Sequence, residues 1–156
     1  STGDALALAT SLQCSNGDFA VEWVGEVFLE ETIRITGGTS LNITGFGPGA
    51  TADGGGNTQL FYVDGGSRLH LSDMALTNGN ASDGGAINAS ESSASFSANR
   101  GGAIFVNQSR VSFSGNISVF SNSAGLSGGA VYAYASTVSS DGDDIEFSFN
   151  HAGYTG

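Results

Sequence analysis

The sequence predicts an all-β chain that folds as a single-stranded parallel β-helix, a right-handed solenoid of about five or six coils with a short N-terminal capping helix. Short apolar runs alternate with Gly, Ser, Thr, Asn and Asp from residue 19 onward. A Gly-Gly-Ala-aliphatic motif recurs at unequal spacing. The chain is 39% hydrophobic but only 12% charged and contains 25 Gly, which favours strands and small-residue turns over disorder.

The N-terminal segment, residues 1–18, is expected to cap the solenoid. Its apolar residues Ala5, Leu8, Ala9 and Leu12 follow a helical spacing and would form one apolar stripe. A strand is the competing interpretation, because Ala and Leu also alternate in this segment.

Residues 19–156 are expected to form the parallel β-helix, which we expect to be open at its C-terminal end. Two Gly-rich segments, 45–50 and 53–58, superficially suggest phosphate-binding loops. Neither ends in Gly-Lys-Ser/Thr and neither begins a predicted helix, so both are interpreted as corners of the solenoid.

The repeated motif consists of two glycines, an alanine and Ile or Val. Its glycine pairs are Gly84 and Gly85, Gly101 and Gly102, and Gly128 and Gly129. An Asn precedes each pair and a fourth follows, at Asn78, Asn99, Asn122 and Asn150. Strands of constant length joined by turns of variable length are typical of solenoid coils, and the turn at Asn99 is the short one. We expect the Asn side chains to stack as a ladder and the glycines to allow close approach of neighbouring coils.

Large aromatic side chains are expected to fill the narrow core of such a coil. The sequence predicts an internal aromatic column made of Phe96, Phe113, Phe120, Phe147 and Phe149.

The motifs GGAI, GGAI and GGAV, together with FSAN, FSGN and FSFN, resemble the GGA(I/L/V) and FxxN repeats of the chlamydial polymorphic outer-membrane proteins. Similar repeats occur in large surface proteins of bacteria and of algae and other stramenopiles. The resemblance covers roughly residues 19–156. It implies a right-handed parallel β-helix that is exposed at a cell surface, often in adhesion.

The charge of the chain limits its partners. It has no Lys, four Arg and 15 acidic residues, for a net charge of −11. Nucleic acids and anionic membrane surfaces require a basic footprint, so neither is an expected partner. No apolar run reaches about 18 residues, so membrane insertion is not expected either. Divalent cations and neutral glycans remain.

One acidic run, Asp141, Asp143 and Asp144, is a candidate for weak Ca²⁺ binding. A solvated corner loop is the favoured interpretation, so no cofactor is expected beyond this possible Ca²⁺.

Parallel β-helices include polysaccharide lyases, hydrolases and epimerases, so catalytic groups are of interest. The candidate groups are that acidic run with Glu146 and His151, Asp53 alone, and Asp64 with Arg68 and His70. The chain offers no Lys as a base, and we expect no enzymatic activity.

Five Asn-x-Ser/Thr sites, at Asn42, Asn80, Asn88, Asn107 and Asn116, predict N-glycans if the source is a eukaryote. Chance occurrence in a Ser-rich chain is the alternative. Asn88 and Asn107 follow their motifs at similar distances, so glycans there would project from one side.

Two functional hypotheses follow. The first is an extracellular or cell-surface structural protein whose subunits associate end to end through open coil ends into a fibre or layer. The second is an adhesin-like binding module of a larger surface protein.

Overall fold

A computed structural model describes residues 17–83, 87–90, 93–97, 104–114, 117–120, 123–127, 130–140 and 145–153. Within these ranges the chain forms strands and no helix. The strands are β1 (Asp18–Phe28), β2 (Ile33–Ile35), β3 (Ser40–Thr58), β4 (Phe61–Val63), β5 (Arg68–Ser72), β6 (Ala75–Asp83), β7 (Ile87–Ser90), β8 (Ser93–Ser97), β9 (Ile104–Asn107), β10 (Arg110–Ser114), β11 (Ile117–Phe120), β12 (Ser123–Ser127), β13 (Val131–Tyr134), β14 (Thr137–Ser140), β15 (Ile145–Ser148) and β16 (His151–Ala152).

Every strand pairing in the described residues is parallel. The prediction of an all-β parallel β-helix is therefore confirmed. The predicted capping helix, residues 4–13, lies outside the described residues, and β1 begins at Asp18.

The strands line three faces of the solenoid. Face 1 is formed by β1, the first part of β3, β5, β8, β10 and β14, which pair in that order. Face 2 is formed by β2, β4, β7, β9 and β13. Face 3 is formed by the later parts of β1 and β3 with β6, β12 and β16, and β11 pairs with β15. Because β3 bends from face 1 to face 3, these two faces share one hydrogen-bonded path.

The register of face 2 agrees with the alignment of the repeated motif. One register column runs Ile33, Phe61, Ile87, Ile104 and Val131, each paired with the next. Ile33, Phe61 and Ile104 of this column are buried. The last three members of the column are the aliphatic residues that end the three motif copies. The glycines of those copies lie outside the described residues.

One coil is much shorter than the others. Ile87 and Ile104, which pair on face 2, are far closer together in the sequence than any other two successive members of that column. The short turn predicted at Asn99 belongs to this coil. Because so short a segment cannot line three faces and their corners, no described residue of this coil forms a face 3 strand. β6 therefore pairs directly with β12.

Alternation along β2, β4 and β9 places the core inside the tube. Ile33 and Ile35 are fully buried whereas Arg34 between them is exposed. Leu29, Leu60 and Met74 are buried just outside the strands. The remaining core residues lie within strands and are Trp23, Val27, Leu41, Ile43, Ala50, Ala52, Phe61, Val63, Leu69, Leu71, Leu76, Ile104 and Val106. Each fully buried large aliphatic side chain stabilises the fold by roughly 1.5–3 kcal/mol relative to exposure.

The corner between faces 2 and 1 repeats a hydroxyl contact that the sequence did not reveal. Ser67 Oγ accepts a hydrogen bond from the Gly38 N–H at 3.1 Å. Ser136 Oγ accepts one from the Ser109 N–H, also at 3.1 Å. In both cases a serine just before a face 1 strand accepts a hydrogen bond from a backbone N–H of the neighbouring coil. We call these two serines, Ser67 and Ser136, the corner hydroxyls.

Glycines in two corners make the stacking of coils possible. Gly37, Gly38, Gly65 and Gly66 have positive φ angles. A β-carbon on Gly65 would lie 3.2 Å from the Gly37 nitrogen of the coil beside it. The other Gly-rich segments bulge outward, because the register skips from Phe46 to Thr51 and again after Asp53. Their interpretation as corners, rather than phosphate loops, agrees with this geometry.

The predicted internal aromatic column is wrong at its C-terminal end. Phe149 is 88% exposed and Phe147 is 48% exposed. Phe149 follows the end of β15 with a φ of 54°, so it turns away from the strand alternation. Phe96 does pair with Phe113, on face 1, whereas Phe147 belongs to a different column.

Candidate functional site

The outer side of face 2 carries a column of aromatic residues. The register column that contains them runs Arg34, Tyr62, Asn88, Phe105 and Tyr132, one residue per strand. The Arg34 guanidinium carbon lies 4.8 Å from the centroid of the Tyr62 ring. The Phe105 and Tyr132 rings stack with centroids 5.1 Å apart and an interplanar angle of 11°. The column therefore has a stacked pair at each end and Asn88 at the register position between them.

Tyr62 also belongs to a polar network at the edge of this column. Its hydroxyl donates to Asp64 Oδ2 at 3.2 Å, and the Gly65 N–H donates to Asp64 Oδ1 at 2.7 Å. Burial raises the pKa of the Tyr62 phenol above 10.0, and the Asp64 carboxylate raises it further by its charge and its hydrogen bond, while Arg34 lowers it. The phenol is thus held in its neutral, donating form.

A second outward column lies two residues further along the strands. Asn107 pairs with Ser90 on one side and with Tyr134 on the other. Tyr134 is 61% exposed, although it lies next to the stacked Phe105–Tyr132 pair. We define Tyr62, Phe105, Tyr132 and Tyr134 as the aromatic face. Tyrosine rings beside Arg and Asn have the composition of a binding surface, because they combine apolar area with hydrogen-bonding groups.

The predicted glycosylation sites fall on different faces. Asn88 and Asn107 lie on neighbouring strands of face 2, where Asn88 is in register with Phe105 and Asn107 with Ser90. Projection of their glycans from one side stays a prediction. Asn42 is exposed on face 1, in register with Ala20 and His70. The remaining two are Asn80, which is exposed and donates its amide to the Gly56 carbonyl at 2.7 Å, and Asn116, which lies outside the described residues. The occupancy of all five stays a prediction.

Only part of the predicted Asn ladder falls in the described residues. Asn78 adopts a φ of 52°, and its amide donates to Asp53 Oδ1 of the neighbouring coil at 2.9 Å. The Gly55 N–H donates to the same oxygen at 2.8 Å. Asn150 is partly buried, whereas Asn99 and Asn122 lie outside the described residues. The stacking of one Asn on the next stays a prediction, and the partner seen for Asn78 is a buried carboxylate.

The candidate groups for catalysis or metal binding are dispersed. Asp64 is engaged by Tyr62 at the corner of face 2, whereas Arg68 and His70 occupy outward positions of β5 on face 1. Glu146 and His151 are exposed. Asp141, Asp143 and Asp144 lie outside the described residues. Within the described part of the chain, no three His, Cys, Asp or Glu side chains are grouped so that they could hold a metal ion.

An open depression of about 430 Å³ lies beside the outward bulge of β3 and is lined by Gly47, Gly49, Ala50, Thr51, Asp73, Met74 and Ala75. It contains one carboxylate and no second polar side chain suited to acid–base work. Across the described ranges, no helix is long and apolar enough to cross a membrane.

Comparison with known proteins adds no functional assignment: no protein-family model, curated protein or solved structure matches this chain.

Proposed function

We propose that this chain is an extracellular structural protein, a glycosylated β-solenoid subunit that stacks end to end into a fibre or cell-surface layer. We further propose that the solenoid is right-handed, has about five or six coils in residues 19–156 and carries a short capping helix at residues 4–13 of its N-terminal segment. The resemblance of its repeats to those of the chlamydial polymorphic outer-membrane proteins supports a cell-surface location.

The observation that carries this proposal is the exposure of Val138, the last residue of an inward column on face 1. Leu41 and Leu69, inside the stack, are 2% and 1% exposed. Val138 continues the same column through β8 and β10 but is 43% exposed. Among the described strands none follows β14 on face 1 or β13 on face 2. A further parallel strand stacked on this edge would bury Val138 and pair its backbone, and we propose that a second copy supplies it.

Electron microscopy and sedimentation of the purified chain at increasing concentration test the assembly. We expect rods or sheets with a repeat along the solenoid axis, and a sedimentation coefficient that rises with concentration. The variant Val138→Lys should abolish assembly, because it places a charge in the inward column at the edge.

The matched control is Ser139→Lys, the next residue on the same strand, which occupies an outward and exposed position. It should assemble as the unmodified chain does. Because Val138 is already partly exposed, its replacement should cost about 1 kcal/mol or less of folding stability, which thermal unfolding checks. Monodisperse monomers at high concentration, or equal behaviour of the two variants, would refute end-to-end stacking.

An adhesin-like binding module of a larger surface protein is the second candidate, and the outer side of face 1 favours it. Arg68 and Arg110 occupy one outward column, with Asn42 and His70 in the adjacent column. In a chain with only four Arg and no Lys, this surface concentrates hydrogen-bond donors. Glycan-array binding that is lost in Arg68→Ala, with Arg34→Ala as the control on face 2, would support it; binding unaffected by Arg68→Ala would argue against it.

A polysaccharide lyase or epimerase is the least supported alternative, and we propose that the chain is not an enzyme. Incubation with polyuronates and Ca²⁺ should give neither new reducing ends nor unsaturated products. Turnover at a rate that scales with protein concentration would overturn this.

A further inference from the structure

We infer that the aromatic face is covered by the chain's own N-glycans, attached at Asn88 and Asn107. This inference rests on the extracellular location proposed above. It identifies the occupant of an otherwise exposed aromatic surface and singles out two of the five glycosylation sites as structural.

The register places both acceptor residues among the aromatic rings. Asn88 takes the position between Tyr62 and Phe105, with one strand spacing of about 4.8 Å on each side. Asn107 takes the position beside Tyr134. The backbone of either Asn therefore lies about one strand spacing from that of a tyrosine or phenylalanine.

The chemistry of the first sugar suits this surface. An N-acetylglucosamine ring presents an apolar C–H face, which packs on an aromatic ring, and an amide and hydroxyls, which bind polar neighbours. The sugar is neutral, so the net charge of −11 does not oppose it, as it would oppose a free anionic polymer. Covalent attachment also raises the effective concentration of the sugar to the millimolar range or above, so that weak stacking is sufficient for occupancy of the face.

The exposure of Tyr134 is accounted for by the same arrangement. This ring is 61% exposed and lies in register with Asn107. Together with the stacked Phe105 and Tyr132 it would form a contiguous apolar patch in water. A glycan over the patch removes that area from solvent while leaving the strand edges of the solenoid free.

Two other sites provide internal controls. Asn42 has Ala20 and His70 as its register neighbours, and Asn80 already donates its amide to the Gly56 carbonyl. Neither has a tyrosine or phenylalanine at the adjacent register position. A glycan at either site would project into solvent without packing on the protein.

The inference is tested by secreting the full chain from a eukaryotic host. The protein is compared with and without enzymatic trimming of each glycan to a single N-acetylglucosamine. Peptide mass spectrometry should find Asn88 and Asn107 occupied. In glycosylated protein, Asn88→Gln or Asn107→Gln should lower the Tm by about 2–4 °C, whereas Asn42→Gln should not. In protein made without glycans in a bacterial host, all three variants should match the unmodified chain. The trimmed form should keep most of the stabilisation.

Tyr134→Ser supplies a second test, which changes the aromatic ring rather than the glycan acceptor. In this background, Asn107→Gln should no longer lower the Tm of glycosylated protein, because the ring that holds the sugar is gone. Unoccupied sites, or a Tm change at Asn88 and Asn107 equal to that at Asn42, would overturn the inference. Assembly by electron microscopy is read separately, so glycan packing and end-to-end stacking can fail independently.

Discussion

The corner hydroxyl of Ser67 should be one of the most costly single polar groups to remove from this fold. Its side chain is fully buried, and its Oγ is the acceptor for the Gly38 N–H. Ser67→Ala leaves that N–H without its acceptor. A net hydrogen bond contributes about 0.5–1.5 kcal/mol, and a buried unsatisfied donor costs about 1–3 kcal/mol. Because Gly38 itself lies at an exposed corner, water partly compensates, and we expect a loss of about 1–2 kcal/mol.

The equivalent contact at Ser136 is the matched control. Its hydrogen bond from the Ser109 N–H has the same length, 3.1 Å, but Ser136 is only partly buried. Water can replace the hydroxyl there, so Ser136→Ala should cost about 0.5 kcal/mol or less. Urea unfolding should show a lower midpoint for Ser67→Ala, by roughly 0.5–1 M. Hydrogen exchange at the Gly38 amide should accelerate about tenfold for each 1.4 kcal/mol lost. Equal costs at the two corners would refute the argument from burial.

Three further substitutions test other parts of the described structure. Asp53→Ala removes the buried acceptor of two hydrogen bonds and should cost about 2–4 kcal/mol in urea unfolding. The pKa of Tyr62 is raised in the folded state. Its contribution to stability is therefore fully present below about pH 10 and is lost as the pH rises through the folded pKa. The stability difference between the unmodified chain and Tyr62→Phe should change only in that alkaline range. Gly45→Ala would place a β-carbon against the Asp73 carbonyl and should destabilise the chain by more than about 2 kcal/mol, whereas Gly17→Ala meets only ordinary contacts and should be nearly neutral in thermal unfolding.

The strand register on face 2 could be predicted because the motif marks a fixed point on each coil. Two glycines require a corner, and the aliphatic residue that follows alanine begins an inward column. Aligning these residues by sequence therefore placed Ile87, Ile104 and Val131 in one column, as the structure does. The short coil follows from the same alignment, since the first two glycine pairs are closer together than the second and third.

Other features could not be predicted, for physical reasons that differ. The corner hydroxyls could not be recognised in a Ser-rich sequence, because only the strand register shows that Ser67 and Ser136 each precede the same position of a face 1 strand. The aromatic face required knowledge of which residues become neighbours across strands that lie a whole coil apart in the sequence. Phe149 was assigned to the core from its spacing alone, but a positive φ after the strand removes it from the alternation.

The short coil, which contains β7 and β8, has a geometric consequence for any assembly of this chain. Faces 1 and 2 each gain a strand from that coil, whereas on face 3 β6 is the direct neighbour of β12. Counted over the described strands, face 3 is therefore shorter along the axis by about one 4.8 Å spacing at this point. A wedge of that kind bends the axis towards face 3. Subunits that repeat this offset at every step would build rods that coil about their axis, and the pitch of these rods in micrographs would report the bend contributed by each subunit.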